Sequence, residues 1–241
     1  MTLVALVTGA SRGLGAVIAR RLAADGLAVA VNSRKDAEGV ERVVDEIRAA
    51  GGAAEGFLAD VTDEAGVADL VDRITGRLGP VDVLVANATG PQPLIALPDL
   101  TWEAHLDQLR FFVKSPTLLV QAVLPGMRER GGGRVIQIGS DVVDRNLPGM
   151  SAYIAAKGAQ HALTEAWARE LGPYGITVNV VAPGWIPVER HAGLDQSGYL
   201  EEVPLRRMGT PEDVAAAVSF LASDGGAFIT GQRVTVNGGH S

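Results

Sequence analysis

The chain has no cysteine in 241 residues. Disulfide staples, thiolate metal sites and a cysteine nucleophile are therefore excluded, and a reducing compartment is compatible with the composition. Histidine is scarce as well. His105, His161, His191 and His240 are scattered without ligand spacing, so no metal site is expected and each reads first as a surface or packing residue. Positive charge is not in excess. The net charge is −7 and no basic stripe appears, which argues against a nucleic-acid partner. No apolar run approaches the roughly 20 residues that cross a bilayer. The first such run, Leu3–Val7, is too short for a signal-peptide core and lacks a basic leader. These absences together predict a soluble cytoplasmic protein with no membrane partner.

What is present is ordinary globular material, 47% hydrophobic and 20% charged. Short apolar runs read as buried strands: Leu3–Val7, Ala28–Val31, Gly56–Ala59, Val81–Ala86, Arg134–Ile138, Thr177–Val181 and Arg233–Val236. Between them lie helical patterns at about Leu14–Asp25, Ala37–Ala50, Glu64–Leu78, Thr101–Arg130, Ala152–Gly172 and Pro211–Ser223. This alternation predicts an α/β fold, a doubly wound, seven-stranded and mostly parallel sheet with helices on both faces. No linker or repeat interrupts it, so residues 1–241 read as one domain. The stretch at about 185–204 has mixed polarity and weak periodicity, and an active-site lid is expected there.

The first strand runs straight into Thr8–Gly15, whose Gly9, Gly13 and Gly15 let backbone approach a ligand. A helix follows, and its free N–H groups suit a pyrophosphate. The spacing is looser than G-x-G-x-x-G, so a plain strand-to-helix turn competes with a dinucleotide loop. After the second strand the sequence reads Asn32-Ser33-Arg34-Lys35, where an NAD site would place an acid for the ribose 2′-hydroxyl. The first acid, Asp36, lies one step further. Arg12 and Arg34 are placed for a 2′-phosphate instead, and NADP(H) is expected over NAD(H). The competing reading makes Arg34 and Lys35 solvated loop charges. Asp60-Val61 is a candidate adenine contact, against a helix N-cap near Asp63.

Tyr153 stands four residues before Lys157, with Ser140 thirteen residues upstream of the tyrosine. A phenol, an ammonium and a hydroxyl beside a dinucleotide are the groups needed to move a hydride to or from a carbonyl carbon and a proton to or from its oxygen. Singly they read as a half-buried aromatic, a surface lysine and a turn cap. Ser140 is not in a G-x-S-x-G elbow, which disfavours a hydrolase.

With Thr8–Gly15, Asp60-Val61, Ile138-Gly139-Ser140, Tyr153-Ile154-Ala155-Ala156-Lys157, Pro183-Gly184, Ile229–Gln232 and Asn237-Gly238-Gly239, the chain resembles the short-chain dehydrogenase/reductase family over essentially its whole length. It is most similar to the group of 3-oxoacyl-carrier-protein reductases and polyketide ketoreductases. The resemblance implies a Rossmann-type fold and a ketone reductase. It makes Tyr153 the general acid, Lys157 the cation that lowers the tyrosine pKa and holds the nicotinamide ribose, and Ser140 the donor that orients the substrate oxygen. It implies cofactor contacts from Gly9, Ser11, Arg12, Gly13, Leu14, Gly15, Ser33, Arg34, Asp60, Val61, Asn87, Ala88, Tyr153, Lys157, Pro183, Gly184 and Ile186.

Three departures from the family pattern stand out. Ala86-Asn87-Ala88-Thr89 replaces part of Asn-Asn-Ala-Gly, with Asn87 still matching. The asparagine that completes a water-linked proton relay in many relatives is missing. Counting back from Gln121–Pro125 puts Phe112 at its place, and counting forward from Trp102 puts Leu109 there, so the helix carries about three extra residues. Gln108 lies near but is not assigned to the relay. Val188 stands where a carboxamide-binding threonine is common. These gaps keep a second reading open, a cofactor-binding structural or regulatory protein with little redox activity.

Gln92, Val142, Arg145, Trp185, His191 and Tyr199 are candidate substrate contacts, and their mixture of aromatic area and polar handles suits a medium or bulky carbonyl or alcohol. Arg145 invites an anionic substrate or is an exposed loop charge. Arg128 and Arg130 would suit docking of a carrier-linked substrate, whereas Tyr174 stands where some carrier-protein reductases have a basic residue. The helices at 101–130 and 152–172 are apolar beyond one stripe, which calls for burial on two sides. The resemblance implies a homotetramer, or a homodimer, built on them and the last strand; covering loops are the alternative.

Overall fold

The computed structural model describes residues 2–189, 193, 195 and 197–240. Seven strands form one sheet: β1 (Val4–Val7), β2 (Ala28–Ser33), β3 (Ala53–Leu58), β4 (Val81–Ala86), β5 (Gly133–Ile138), β6 (Ile176–Pro183) and β7 (Arg233–Val236). Their order is β3-β2-β1-β4-β5-β6-β7, and every neighbouring pair is parallel. The chain winds outward one way from β1 to β3 and then crosses back to β4. The crevice between β1 and β4, at the carboxyl ends of the strands, is the place where such sheets bind ligands.

Central strands have helices on both faces, so they read as continuous apolar runs rather than alternating ones. Along β1, Ala5 and Val7 enter one core while Val4 and Leu6 enter the other, the two-residue period of a strand. The first core is closed by α1 (Gly13–Ala24), α2 (Ala37–Ala49) and α9 (Pro211–Ala222) through Ile18, Leu22, Val43, Ile47, Val214, Val218 and Leu221. The second is closed by α3 (Glu64–Arg77), α5 (Ser115–Glu129) and α7 (Ser151–Leu171) through Leu70, Ile74, Leu119, Val123, Met127 and Leu171. Each fully buried Leu or Ile contributes about 1.5–3 kcal/mol. None of the helices among the described residues is long and apolar enough to cross a membrane.

Four elements differ from expectation. β3 begins three residues before the predicted Gly56, directly after the Gly51-Gly52 turn. Its sequence, Ala-Ala-Glu-Gly-Phe-Leu, is weak as a strand pattern because it is an edge; register with Ala28–Ser33 supplies the order that side chains do not. The helix expected over 101–130 is not continuous. It runs as α4 (Trp102–Leu109), a wide π-turn at Arg110–Lys114, and then α5. A π-turn absorbs an inserted residue without breaking the helix, and such turns favour functional sites. Two short helices, α6 (Val142–Arg145) and α8 (Ser197–Glu202), were not anticipated because four to six residues show no period.

Helix α9 matters to the site because it packs on α1, the helix that follows the glycine loop. Its start is fixed by a capping box: Thr210 Oγ1 accepts from the Asp213 N–H and Asp213 accepts from the Thr210 N–H. Thr210→Ala should lower stability by about 1 kcal/mol, read as a shift in urea midpoint at unchanged slope.

Candidate active site

The crevice floor is a set of hydrogen bonds between the ends of β1 and β4. Thr8 Oγ1 accepts from the amides of Asn87 and Ala88, both at 3.0 Å. Asn87 Nδ2 donates back to the carbonyls of Thr8 (2.8 Å) and Gly9 (3.1 Å). On the other side the Ala10 amide donates to the Asn32 carbonyl, and Asn32 Nδ2 donates to the carbonyls of Phe57 and Ala59. Strands β4, β1, β2 and β3 are thus tied together just where the glycine loop turns.

Gly9 has φ +62°, a left-handed angle, and a Cβ there would lie 2.9 Å from Ala88 Cα. A Cβ on Gly15 would overlap the Gly9 carbonyl and sit 2.5 Å from Asn87 Nδ2. The loop is therefore a cradle that only glycine leaves open. Helix α1 starts at Gly13 with no side-chain cap and no acid in its first turn. Its orphan N–H groups, which continue at Leu14, and the positive end of its dipole fit a pyrophosphate. Val188 lies 3.8 Å and Glu189 3.5 Å from a Cβ built at Gly13, so the segment after β6 crosses above the loop.

At the rim, Ser11 is buried and its carbonyl accepts from Arg42 Nη2 at 3.0 Å. Asp36 caps α2 through the Gly39 amide at 3.1 Å. The Ser11 hydroxyl, that amide, Arg12 and Arg42 hold the Asp36 carboxyl below its ordinary range. Arg12 and Arg34 are exposed, and Ser33 is buried at the end of β2. Arg42 is a third guanidinium at this rim that sequence reading missed, because on α2 it looks like any exposed helix charge. Arg34 lies 3.9 Å from Asp60. Asp60 accepts from the Thr62 amide (2.9 Å) and hydroxyl (2.7 Å), while Asp63, not Asp60, caps α3. Burial opposes ionisation of Asp60, but Thr62, Arg34 and Lys114 outweigh it and keep its carboxyl low. Val61 is buried beside it.

Ser140 lies just past β5. The Gly139 amide donates to Val181 and the Asp141 amide to Pro183, which anchors this loop to the end of β6. Ser140 Oγ accepts from the Val142 amide at 3.2 Å. Tyr153 and Lys157 share a face of α7, one turn apart. The Lys157 ammonium is buried. It donates to the Ile138 carbonyl at 2.7 Å, two residues before Ser140, and to Gln160 Oε1 at 3.2 Å. It sits 3.7 Å from the Phe112 ring centroid and 5.7 Å from that of Tyr153. Burial pushes its pKa well below the ordinary lysine range. Phe112, on the π-turn, meets Tyr153 edge to face at 5.4 Å. Gln108 is buried and donates to the Pro91 carbonyl at 2.9 Å, holding the loop after β4.

The described residues among the expected substrate contacts have the following partners. Gln92 donates to Thr89 Oγ1 at 2.8 Å. Val142 is buried in the wall. The Trp185 amide donates to Tyr199 Oη at 2.9 Å, and the two rings are 5.5 Å apart. Tyr199 is buried, stacks on His240 at 4.8 Å, and receives the Arg145 guanidinium at 5.0 Å. Burial raises the Tyr199 pKa and, on the neighbouring loop, that of Asp141, which accepts from Asn237 Nδ2 at 3.3 Å. His240 Nε2 lies 2.8 Å from Glu202 Oε2. In this arrangement Tyr199 packs the segment after β6 against the C-terminus. Pro183 and Ile186 are buried; the Gly184 amide donates to Val236, and a Cβ on Gly184 would strike Asn237. His191 lies outside the described residues.

A model for the family described as "Enoyl-(Acyl carrier protein) reductase" matches residues 9–241. The 3-oxoacyl-(acyl-carrier-protein) reductase FabG of Escherichia coli (strain K12) is 39% identical over 241 residues, covering 98% of this chain and 96% of that protein. The chain belongs to the short-chain dehydrogenase/reductase family. Among solved structures, a blue fluorescent protein from a metagenomic library in complex with NADPH superposes with a TM-score of 0.91 at 37% identity, covering 99% of this chain and 98% of that one. A 7α-hydroxysteroid dehydrogenase complexed with NADH and 7-oxo glycochenodeoxycholic acid gives 0.94 at 33% identity, covering 99% and 94%. Family membership makes this chain an oxidoreductase of the short-chain type.

Asn87→Ala would strand the Thr8 and Gly9 carbonyls at the crevice floor. We expect a loss of about 1–3 kcal/mol in stability and weaker dinucleotide binding, measured by denaturation and by fluorescence titration with the cofactor.

Proposed function

We propose that the protein reduces a ketone to a secondary alcohol with NADPH, with Tyr153 as proton donor, Lys157 as its activating cation and Ser140 as the donor that orients the carbonyl oxygen. The observation that carries this reading is the buried Lys157 ammonium, held beside the Tyr153 ring and on the strand end that leads to Ser140. A carbonyl under reduction develops negative charge on oxygen, so it needs a hydrogen-bond donor and a proton donor on that atom. Ser140 and Tyr153 supply them. A positive charge in a low-dielectric pocket favours the tyrosinate left behind. When bound, the nicotinamide supplies the hydride to the carbonyl carbon.

The cradle of Gly9 and Gly15 and the uncapped start of α1 support a dinucleotide there. Gly13, Leu14, Asn87, Ala88, Pro183, Gly184 and Ile186 would line its course, with Asp60 and Val61 at the adenine. Arg12 and Arg34 at the rim, joined by Arg42, favour a 2′-phosphate; Asp36 is committed to capping α2 and to Ser11. The solved relatives were bound to NADPH in one case and NADH in the other. Residues 185–189 and 197–204 would flank the substrate, with Gln92, Arg145 and Trp185 at the mouth; residues 190–192, 194 and 196 of the lid expected at about 185–204 lie outside the described residues. Arg128 is exposed and lies 4.0 Å over the Tyr174 ring, and the substrate is free or carrier-linked. Exposed Ala162 and Ala166 on α7 and the fully exposed Phe228 near β7 support assembly as a homotetramer or homodimer.

The first test is cofactor oxidation by the purified protein, with NADPH and NADH in parallel, against 3-oxoacyl thioesters, β-ketoesters and cyclic or aromatic ketones. NADPH-preferring turnover is expected. Dinucleotide binding with no turnover on any ketone would instead support a cofactor-binding protein without redox activity, the reading that the absent asparagine and threonine favour. Tyr153→Phe should lower kcat by about 10²–10⁴-fold with cofactor binding retained, and wild-type rates in that variant would refute the assignment. Arg12→Ala and Arg34→Ala should each raise KM for NADPH by about tenfold and leave KM for NADH nearly unchanged.

A further inference from the structure

Lys157 is the one buried lysine of the three in the chain; Lys35 and Lys114 are exposed. A buried ammonium is normally paired with a carboxylate. This one has no ion-pair partner among the described residues, and burial is the sole cause of its shift. Its neighbours are instead three neutral groups from three elements. The last residue of β5 presents a carbonyl, Gln160 on α7 presents an amide oxygen, and Phe112 on the π-turn presents a ring face. The Gln160 side chain is 1% exposed, unusual for a residue that solvates readily.

The charged groups on the surrounding elements point elsewhere. On the π-turn, Arg110 is exposed and bonded to Asp107, and Lys114 is exposed. Beyond β5, Asp141 is engaged by Asn237. Along the packed stretch of α7, Tyr153 is the titratable side chain in contact, and His161 lies 3.7 Å from the exposed Glu165. Helix α4 contributes Gln108, which is committed to Pro91.

We propose that Phe112 and Gln160 are positioning residues that cage the Lys157 ammonium beside the Tyr153 ring, giving a cation without an ion-pair partner among the described residues a dry mount. This rests on the reading of Tyr153 as proton donor. Phe112 has no atom that can pass a proton, so its side of the lysine is closed to relay chemistry. It touches both partners at once: its face holds the ammonium and its ring meets Tyr153 edge to face. Gln160 accepts from the cation and adds no charge.

The cage makes a directional prediction. An acceptor or a π face stabilises the charged lysine, so losing either favours the neutral amine. Gln160→Met keeps the volume and removes the amide oxygen; the Lys157 titration midpoint should fall by about one pH unit. Phe112→Leu should lower it by about half a unit to one unit. Gln160→Glu adds an anion and should raise it. The probe is NMR of the intact protein labelled at lysine ε-carbons, with the two exposed lysines as internal references and no turnover required. In active protein, the alkaline limb of the kcat profile should move in the same order. An unmoved Lys157 midpoint in both Gln160→Met and Phe112→Leu overturns the proposal. Moved midpoints in a protein that reduces no ketone would uphold the cage and reject the reductase reading instead.

Discussion

The site depends on one stitch, the reciprocal hydrogen bonds between Thr8 and Asn87 at the ends of β1 and β4. A parallel sheet that reverses its winding has to part its loops at that point. The two chain segments leave in opposite directions, and without a tie the floor of the crevice would be two independent loops. Here a hydroxyl and a carboxamide each bond backbone on the other strand, so the position of the glycine loop is set by the sheet itself. Everything above follows: the start of α1, the rim arginines, and the segment after β6 that crosses over Gly13.

The two ends of the crevice treat charge in opposite ways. At the rim, charges are solvated and counterbalanced, as with Arg34 near Asp60 and Arg12 and Arg42 near Asp36. Such contacts adjust easily when a ligand arrives. At the inner end a single ammonium is kept dry among neutral partners. An unpaired buried charge lowers the stability of a fold, and proteins tolerate that where the charge has work to do. Under the proposed function, the contrast would separate the part that recognises an anion from the part that changes the acidity of a phenol.

Most of the architecture was legible because apolar runs such as Val81–Ala86 and Thr177–Val181 are buried on both faces and cannot be read as anything but central strands. β3 was misplaced because an edge strand is ordered by backbone pairing rather than by its side chains. At the site, Ser140, Tyr153 and Lys157 were legible as types at a spacing. Gln160 was not, because an amide on a helix reads as solvent-facing until the packing of α7 against β5 and the π-turn is known. Arg42 was lost among the other exposed charges of α2. Tyr199 was visible as an aromatic near the mouth, yet only the C-terminal His240 stacked on it reveals that its ring is spent on packing.

The π-turn at Arg110–Lys114 has a consequence for how this stretch of chain can change. In an unbroken α-helix each residue advances about 100° around the axis. The wide turn acts as a phase adjuster. α4 faces Pro91 and α7 while α5 keeps its own face on β4. Deleting one residue from this turn would restore a regular helix and rotate Gln108 off its loop. Local regularity and the geometry of the site pull in opposite directions here, and the irregular turn resolves the conflict in favour of the site.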